Sequence, residues 1–178
     1  MAVEDREKWD ARYAGDSGDS APSDILCRYV PLASVGIALD IACGNGRNSL
    51  YLADMGFTVE AVDISSVATR RLSGRRPNIE VIRADLDVWT IPPSRYEVIV
   101  DVRFLDRRLF PMIKDGLKPG GVLFFESYLH DGTDDYCLQH NELPQVFRSL
   151  RVVHYEEKKL DPPGRFDQAA SFVAIKPG

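Results

Sequence analysis

The segment "IALDIACGNGRNSLYLADMGFTVEAVDIS", residues 37–65, constrains the fold of this chain more than any other. An apolar run passes straight into Cys43-Gly44-Asn45-Gly46. Next comes a helix-like stretch with Leu50, Leu52 and Ala53 on or near one helical face, ended by Gly56. A second apolar run then closes on a lone acid, Asp63. Strand, glycine bend, helix and strand in that order belong to an α/β sandwich built on a parallel sheet.

The rest of the chain repeats the alternation. Strands are expected over 35–42, 57–64, 78–85, 96–102 and 121–128, with helices over 47–55, 65–74, 107–117 and 141–150. The runs from the first four strands are continuously apolar, as strands are when helices cover both faces. Ser65 suits an N-cap, and "KPGG" (118–121) reads as a turn. Pro111 and Pro144 are tolerable early in their helices. Two final strands, 151–160 and 168–177, are joined by "DPPGRF" and should pair antiparallel. The expected architecture is therefore a three-layer α/β sandwich with a seven-stranded, mainly parallel sheet. The irregular stretches 13–24 and 129–140 are long enough to be lids or binding loops.

At 178 residues the chain is expected to be a single domain spanning 1–178. The balance of 22 Lys and Arg against 27 Asp and Glu argues against a nucleic-acid partner. Its densest basic run, "RRLSGRR" (70–76), reads as a helix C-terminus. Cys27, Cys43 and Cys137 form no CxxC pair, so neither a metal site nor a disulfide frame is expected. The opening "MAVEDREKWD" lacks the apolar core of a signal segment, and no run approaches the ~20 apolar residues of a membrane span. A cytoplasmic protein is expected.

In a parallel α/β sheet, ligands bind outside the carboxyl ends of the strands. Gly44 and Gly46 let a ligand approach the backbone there, and the following helix start offers free N–H groups. "CGNGRNS" lacks the third glycine of GxGxxG and the GK[ST] of a phosphate loop, which disfavours a pyrophosphate. Asp63 at its strand end can accept from a ribose diol and would repel a 2′-phosphate. Asp85 could accept from an adenine amino group, with Asp87 a competing acceptor. Asp40 could cap the turn or meet a ligand ammonium. Three acids on strand ends beside a glycine bend fit an adenosine ligand with cationic groups, as in S-adenosylmethionine (SAM).

"LDIACGNGRNSLYLA", "VEAVDIS", "ADLD" and "LKPGGVLFFESY", in this order, resemble the class I SAM-dependent methyltransferases. With "KWDARY", "FLDRRLFPMIKDGLKPGG" and "ELPQVFRSLRVVHYEE", the chain is most similar to the small bacterial tellurite-resistance and thiopurine-type group. Ala42 stands where that family often has glycine. The resemblance implies the Rossmann-like methyltransferase fold, with SAM as cofactor and S-adenosylhomocysteine (SAH) as product. It implies that the methionine moiety lies against Ala42, Cys43, Gly44 and Gly46. The ribose would sit on Asp63, with Ile64 beside the adenine and Asp85 and Leu86 at the adenine edge. Val102 and Arg103 would face the sulfonium or the acceptor. Residues 1–24 would form an N-terminal cap in which Arg12 pairs with the cofactor carboxylate while Trp9 and Tyr13 cover the site. Arg47 would support the same region.

The implied reaction is in-line methyl transfer to a small molecule, in which the protein supplies position and a water-poor site. The catalytic residues cannot be named from sequence. If a general base is used, Tyr128 and His130 are the first candidates, followed by Tyr136 and His140. An oxyanion such as tellurite or selenite would want Arg103 or Arg47, whereas a thiol would want walls such as Phe104, Tyr128 and Tyr136. Segment 129–140 is the candidate substrate lid. The alternative is a SAM- or SAH-binding sensor or partner subunit without transferase activity.

Overall fold

The first strand, β1 (Ile37–Ile41), has Ala38, Leu39 and Ile41 entirely buried, and helices pack on both of its faces. It belongs to a computed structural model that describes residues 2–15, 21–130, 136–160 and 166–178. The remaining strands are β2 (Thr58–Asp63), β3 (Ile79–Arg83), β4 (Tyr96–Val102), β5 (Leu117–Leu129), β6 (Arg151–Lys159) and β7 (Gln168–Ile175). They form one seven-stranded sheet in the order β3-β2-β1-β4-β5-β7-β6. The pairs among β1 to β5 are parallel, and β7 runs antiparallel to both β5 and β6. The closing strands do pair antiparallel, and β7 inserts between β5 and β6, leaving β6 at the edge.

The helices are α1 (Ala2–Ala14), α2 (Asp24–Tyr29), α3 (Arg47–Asp54), α4 (Ser66–Leu72), α5 (Leu109–Gly116) and α6 (Glu142–Val146). One face of the sheet receives Ile25 and Leu26 of α2, Leu52 and Ala53 of α3, and Leu72 of α4. The other receives Leu109, Phe110 and Ile113 of α5, Leu143 of α6, and Phe147. Each such side chain contributes roughly 1.5–3 kcal/mol on burial, so together they fix the three-layer sandwich. Ser65 caps α4 as its position suggests, its Oγ accepting from the Ala68 N–H at 3.2 Å. Arg70 and Arg71 close the last turn of that helix.

Several expectations are corrected. The "KPGG" segment is not a separate turn before the strand. β5 starts at Leu117 opposite Tyr96, and its pairing resumes only at Val98 with Val122, so residues 118–121 form an irregular excursion within the strand. The helix expected over 141–150 is confined to Glu142–Val146. Strand β3 is only partly buried because it is an edge strand. Helix α2 was not expected from the sequence. Residues 131–135 of the lid segment, 16–20 of the first long loop and 161–165 of the final turn lie outside the described residues.

The topology decides where a site can form. The chain steps from β1 outward to β2 and β3, then returns to β4 on the other side of β1. In such a sheet the place for a ligand crevice is where the strand order reverses, above the carboxyl ends of β1 and β4.

Candidate functional site

The bend after β1 has three residues in the left-handed region: Ala42 (φ 50), Gly44 (φ 54) and Gly46 (φ 81). It is pinned by Cys43 N–H donating to the Val62 carbonyl at 3.0 Å and by Gly46 N–H donating to the Cys43 carbonyl at 2.9 Å. A Cβ at Gly44 would lie 2.5 Å from the Tyr13 hydroxyl, and one at Gly46 would lie 2.4 Å from Leu72 Cδ1. Glycine is therefore needed at position 44 for the close approach of α1, and at 46 for packing against α4. Cys43 is buried, and burial beside Asp40 and Asp63 pushes its thiol well up; it is a turn residue rather than a nucleophile.

Asp63 ends β2 at only 4% exposure. Its Oδ2 accepts from the Gly44 N–H and its Oδ1 from the Ser65 N–H, both at 2.8 Å. Burial raises its pKa against the pull of those N–H groups. The Ile64 N–H pulls the same way, and a carboxylate has about four acceptor positions, so capacity remains for a ligand's hydroxyl. On β1, Asp40 accepts from Ser49 Oγ of α3 at 2.6 Å, and burial pushes its pKa up to about 7. On β4, Asp101 is fully buried, and neither of its carboxyl oxygens has a hydrogen-bond partner among the described residues.

Helix α1 lies across this region. Asp10 accepts from Ser65 Oγ at 2.6 Å, Ser66 Oγ at 2.9 Å and the Val67 N–H at 3.2 Å. These bonds, the Ser65 hydroxyl foremost, hold the Asp10 carboxyl below its usual range. Arg71 of α4 donates to the Tyr13 carbonyl at 2.6 Å. Trp9 and Tyr13 stack with centroids 6.0 Å apart, and the exposed Arg12 guanidinium sits 5.1 Å over the Trp9 ring. Arg47, first residue of α3, donates to the Ala21 carbonyl at 3.2 Å and acts electrostatically on Asp40.

Along the rim, Ile64 is half-buried next to Asp63, and Asp85 and Leu86 are half-buried after β3. Asp85 Oδ1 accepts from the Asp87 N–H at 2.9 Å. Asp87 itself pairs with Arg108 at 2.5 Å. Val102 is buried at the end of β4. Arg103 follows with φ 66, pairs with Glu126 at 3.0 Å, and lies 4.5 Å over the Tyr128 ring. His130 is exposed, its backbone N–H donating to the Leu138 carbonyl at 3.4 Å. Tyr136 is exposed, and His140 pairs with Glu157 at 2.5 Å. Tyr128 lies near the end of β5 beneath the Arg103 guanidinium.

The sequence reading did not single out Ser49, Asp10, Glu126 or Asp101. For Asp101 a signal existed: a carboxylate inside the apolar run "YEVIVDV", one residue from its end, as Asp40 is in β1. Asp10 and Ser49 gave none, since an acid in a charged helix and a serine in a helix are ordinary.

Residues 38–121 match the family model described as a methyltransferase domain. The chain is 28% identical over 138 residues to the probable S-adenosyl-L-methionine-dependent methyltransferase TehB of Haemophilus influenzae, covering 67% of this chain and 47% of that protein. It is 29% identical over 109 residues to trans-aconitate 2-methyltransferase of Rhizobium rhizogenes, covering 57% of this chain and 42% of the relative. The chain thus spans about half the length of the curated relatives it matches. In fold it resembles the crystal structure of TehB from H. influenzae, with a TM-score of 0.77 at 21% identity over 94% of this chain and 67% of that one. It also resembles a Burkholderia thailandensis 1,6-didemethyltoxoflavin-N1-methyltransferase crystallised with S-adenosylhomocysteine, with a TM-score of 0.72 at 16% identity over 99% of this chain and 85% of that one.

Proposed function

We propose that this chain, which matches a methyltransferase-domain model and is similar to TehB in sequence and fold, is a class I SAM-dependent methyltransferase that transfers the methyl group of SAM to a small-molecule acceptor by in-line displacement. The observation that carries the proposal is Asp63, clamped at 2.8 Å to the N–H of Gly44 and at 2.8 Å to that of Ser65, with acceptor capacity left over beside the glycine bend.

The residues present fit this cofactor. Asp63 at the end of β2, and Asp40 one residue before the end of β1, are buried acids beside the glycine bend, where they suit a ligand bearing hydroxyls and cationic groups. When bound, SAM supplies an already activated methyl group. Asp63 would hold the ribose, Ala42, Cys43, Gly44 and Gly46 the methionine portion, and Ile64, Asp85 and Leu86 the adenine. Tyr13 and Trp9 on α1 would exclude water, with Arg12 and Arg47 supplying positive charge toward the cofactor carboxylate. Val102 and Arg103 would border the acceptor, and Tyr128 is the better-placed of the two candidates for moving a proton. Residues 1–178 would act as one domain, with 1–24 as cap and 129–140 as acceptor lid. We place the protein in the cytoplasm, acting on small molecules rather than nucleic acid; no helix among the described residues is long and apolar enough to cross a membrane.

Calorimetric titration of SAM against NAD tests the cofactor, and methyl transfer from tritiated SAM to tellurite, selenite, thiols, small amines and acids tests the acceptor. Tight NAD binding without SAM binding would overturn the proposal. SAM binding with no transfer to any member of the panel would favour the sensor reading.

A further inference from the structure

Each buried acid at the crevice has a donor except one. Asp40 has Ser49 Oγ, and Asp63 has two backbone N–H groups. Asp101 is fully buried with both oxygens unpartnered among the described residues. Its register neighbours are Ile41, the last residue of β1, and Phe125 of β5, on the face packed by Leu109, Phe110 and Ile113 of α5. It therefore lies beneath the point where the strand order reverses. A buried carboxyl without a donor destabilises the fold, and an apolar residue would serve the core better. The charged groups that act on it are further acids: Asp40 from β1 and Asp106 from the turn before α5. Arg103, two residues along, pairs through Nη2 with Glu126, and its buried Nη1 has no hydrogen-bond partner among the described residues, Asp101 included.

We infer that Asp101 is the residue by which the site distinguishes SAM, whose sulfur is a cation, from SAH, whose sulfur is an uncharged thioether. The inference rests on the methyltransferase reading. A sulfonium above the ends of β1 and β4 supplies the counter-charge that the fold withholds from Asp101. The carboxyl then ionises, its proton going to solvent. Once the methyl group has left, the positive charge is gone. The carboxylate is again surrounded by acids and takes a proton back, and the product is held less firmly. Burial together with Asp40 and Asp106 keeps the group neutral until the cation arrives.

The test is calorimetry of SAM and of SAH against the parent chain, Asp101→Asn and Asp101→Val, each in two buffers of different ionisation enthalpy, with thermal unfolding of all three proteins. The parent should release protons on binding SAM and none on binding SAH. Both variants should lose at least tenfold of the preference for SAM over SAH, keep their SAH affinity, release fewer protons with SAM, and melt no lower than the parent. An unchanged preference and unchanged proton release in both variants would overturn the inference alone. So would a marked fall in melting temperature in both, which would make Asp101 a structural group. Failure of the parent to bind either ligand would overturn the methyltransferase reading along with it.

Discussion

Ser49 Oγ donates to Asp40 Oδ2 at 2.6 Å, and with the Ser49 backbone N–H it supports a carboxyl that is only 2% exposed. Removing the hydroxyl takes away the larger of these two hydrogen bonds to a buried acid. Ser49→Ala should lower stability at neutral pH by about 1–3 kcal/mol, read by urea unfolding.

The same acid sets a pH dependence. Its folded pKa of about 7 lies above its ordinary 3.8, so the native state holds a proton that the unfolded chain has lost between those values. Its stabilising contribution is full below about pH 4, falls as pH rises, and is gone above about pH 7, on the order of 4 kcal/mol in all. Asp101 and Asp63 act in the same direction. Asp10, Asp106 and Glu142, held below their usual range, act oppositely and lose their contribution as pH falls below about 4. The ligand-free protein should be most stable near pH 4–5, and Asp40→Asn should flatten the descent toward pH 7 in denaturant titrations.

Asp63→Ala should weaken SAM at least tenfold, about 1.4 kcal/mol, because it removes the proposed ribose acceptor and strands the Gly44 and Ser65 N–H groups. Asp63→Asn, which keeps one acceptor oxygen, should fall between. Unchanged affinity in the alanine variant, measured by calorimetry, would refute the assigned role.

Ala42 and Gly44 should respond oppositely to small changes. Ala42 holds φ 50 with a side chain, a conformation that costs roughly 1 kcal/mol outside glycine. Ala42→Gly should therefore raise the melting midpoint slightly, after the offset from a looser unfolded chain. Gly44→Ala would set a Cβ 2.5 Å from the Tyr13 hydroxyl and should lower the midpoint while loosening α1.

Asp10 ties α1 to Ser65, Ser66 and Val67. Asp10→Ala should make α1 cleavable by protease about tenfold faster, an opening shift of about 1.4 kcal/mol, with the remaining fold intact. Equal cleavage rates in parent and variant would show that Tyr13 and Arg71 hold the helix without it.

The fold was legible because the strands that matter are buried on both faces and announce themselves as unbroken apolar runs between glycines and caps. The position of Asp63 was legible for a related reason: an acid that closes such a run marks the end of its strand. What escaped the reading depends on contacts far apart in sequence. Asp10 meets Ser65 across 55 positions, and its role exists only once α1 is laid over α4. The short α2 is fixed by docking, with Asn48 Oδ1 accepting the Ser23 N–H at 2.9 Å, rather than by any strong helical pattern. The excursion at 118–121 looked like a turn because Pro-Gly-Gly is one; pairing of Leu117 with Tyr96 extends the strand past it.

The insertion of β7 between β5 and β6 orders events during synthesis. When β6 leaves the ribosome, its neighbour in the finished sheet has not yet been made, and β5 waits with an open flank. Both are satisfied together when residues 168–175 emerge and thread into the gap. Until then the nascent chain carries two unpaired strand edges, the kind of surface that chaperones shield and that aggregation exploits.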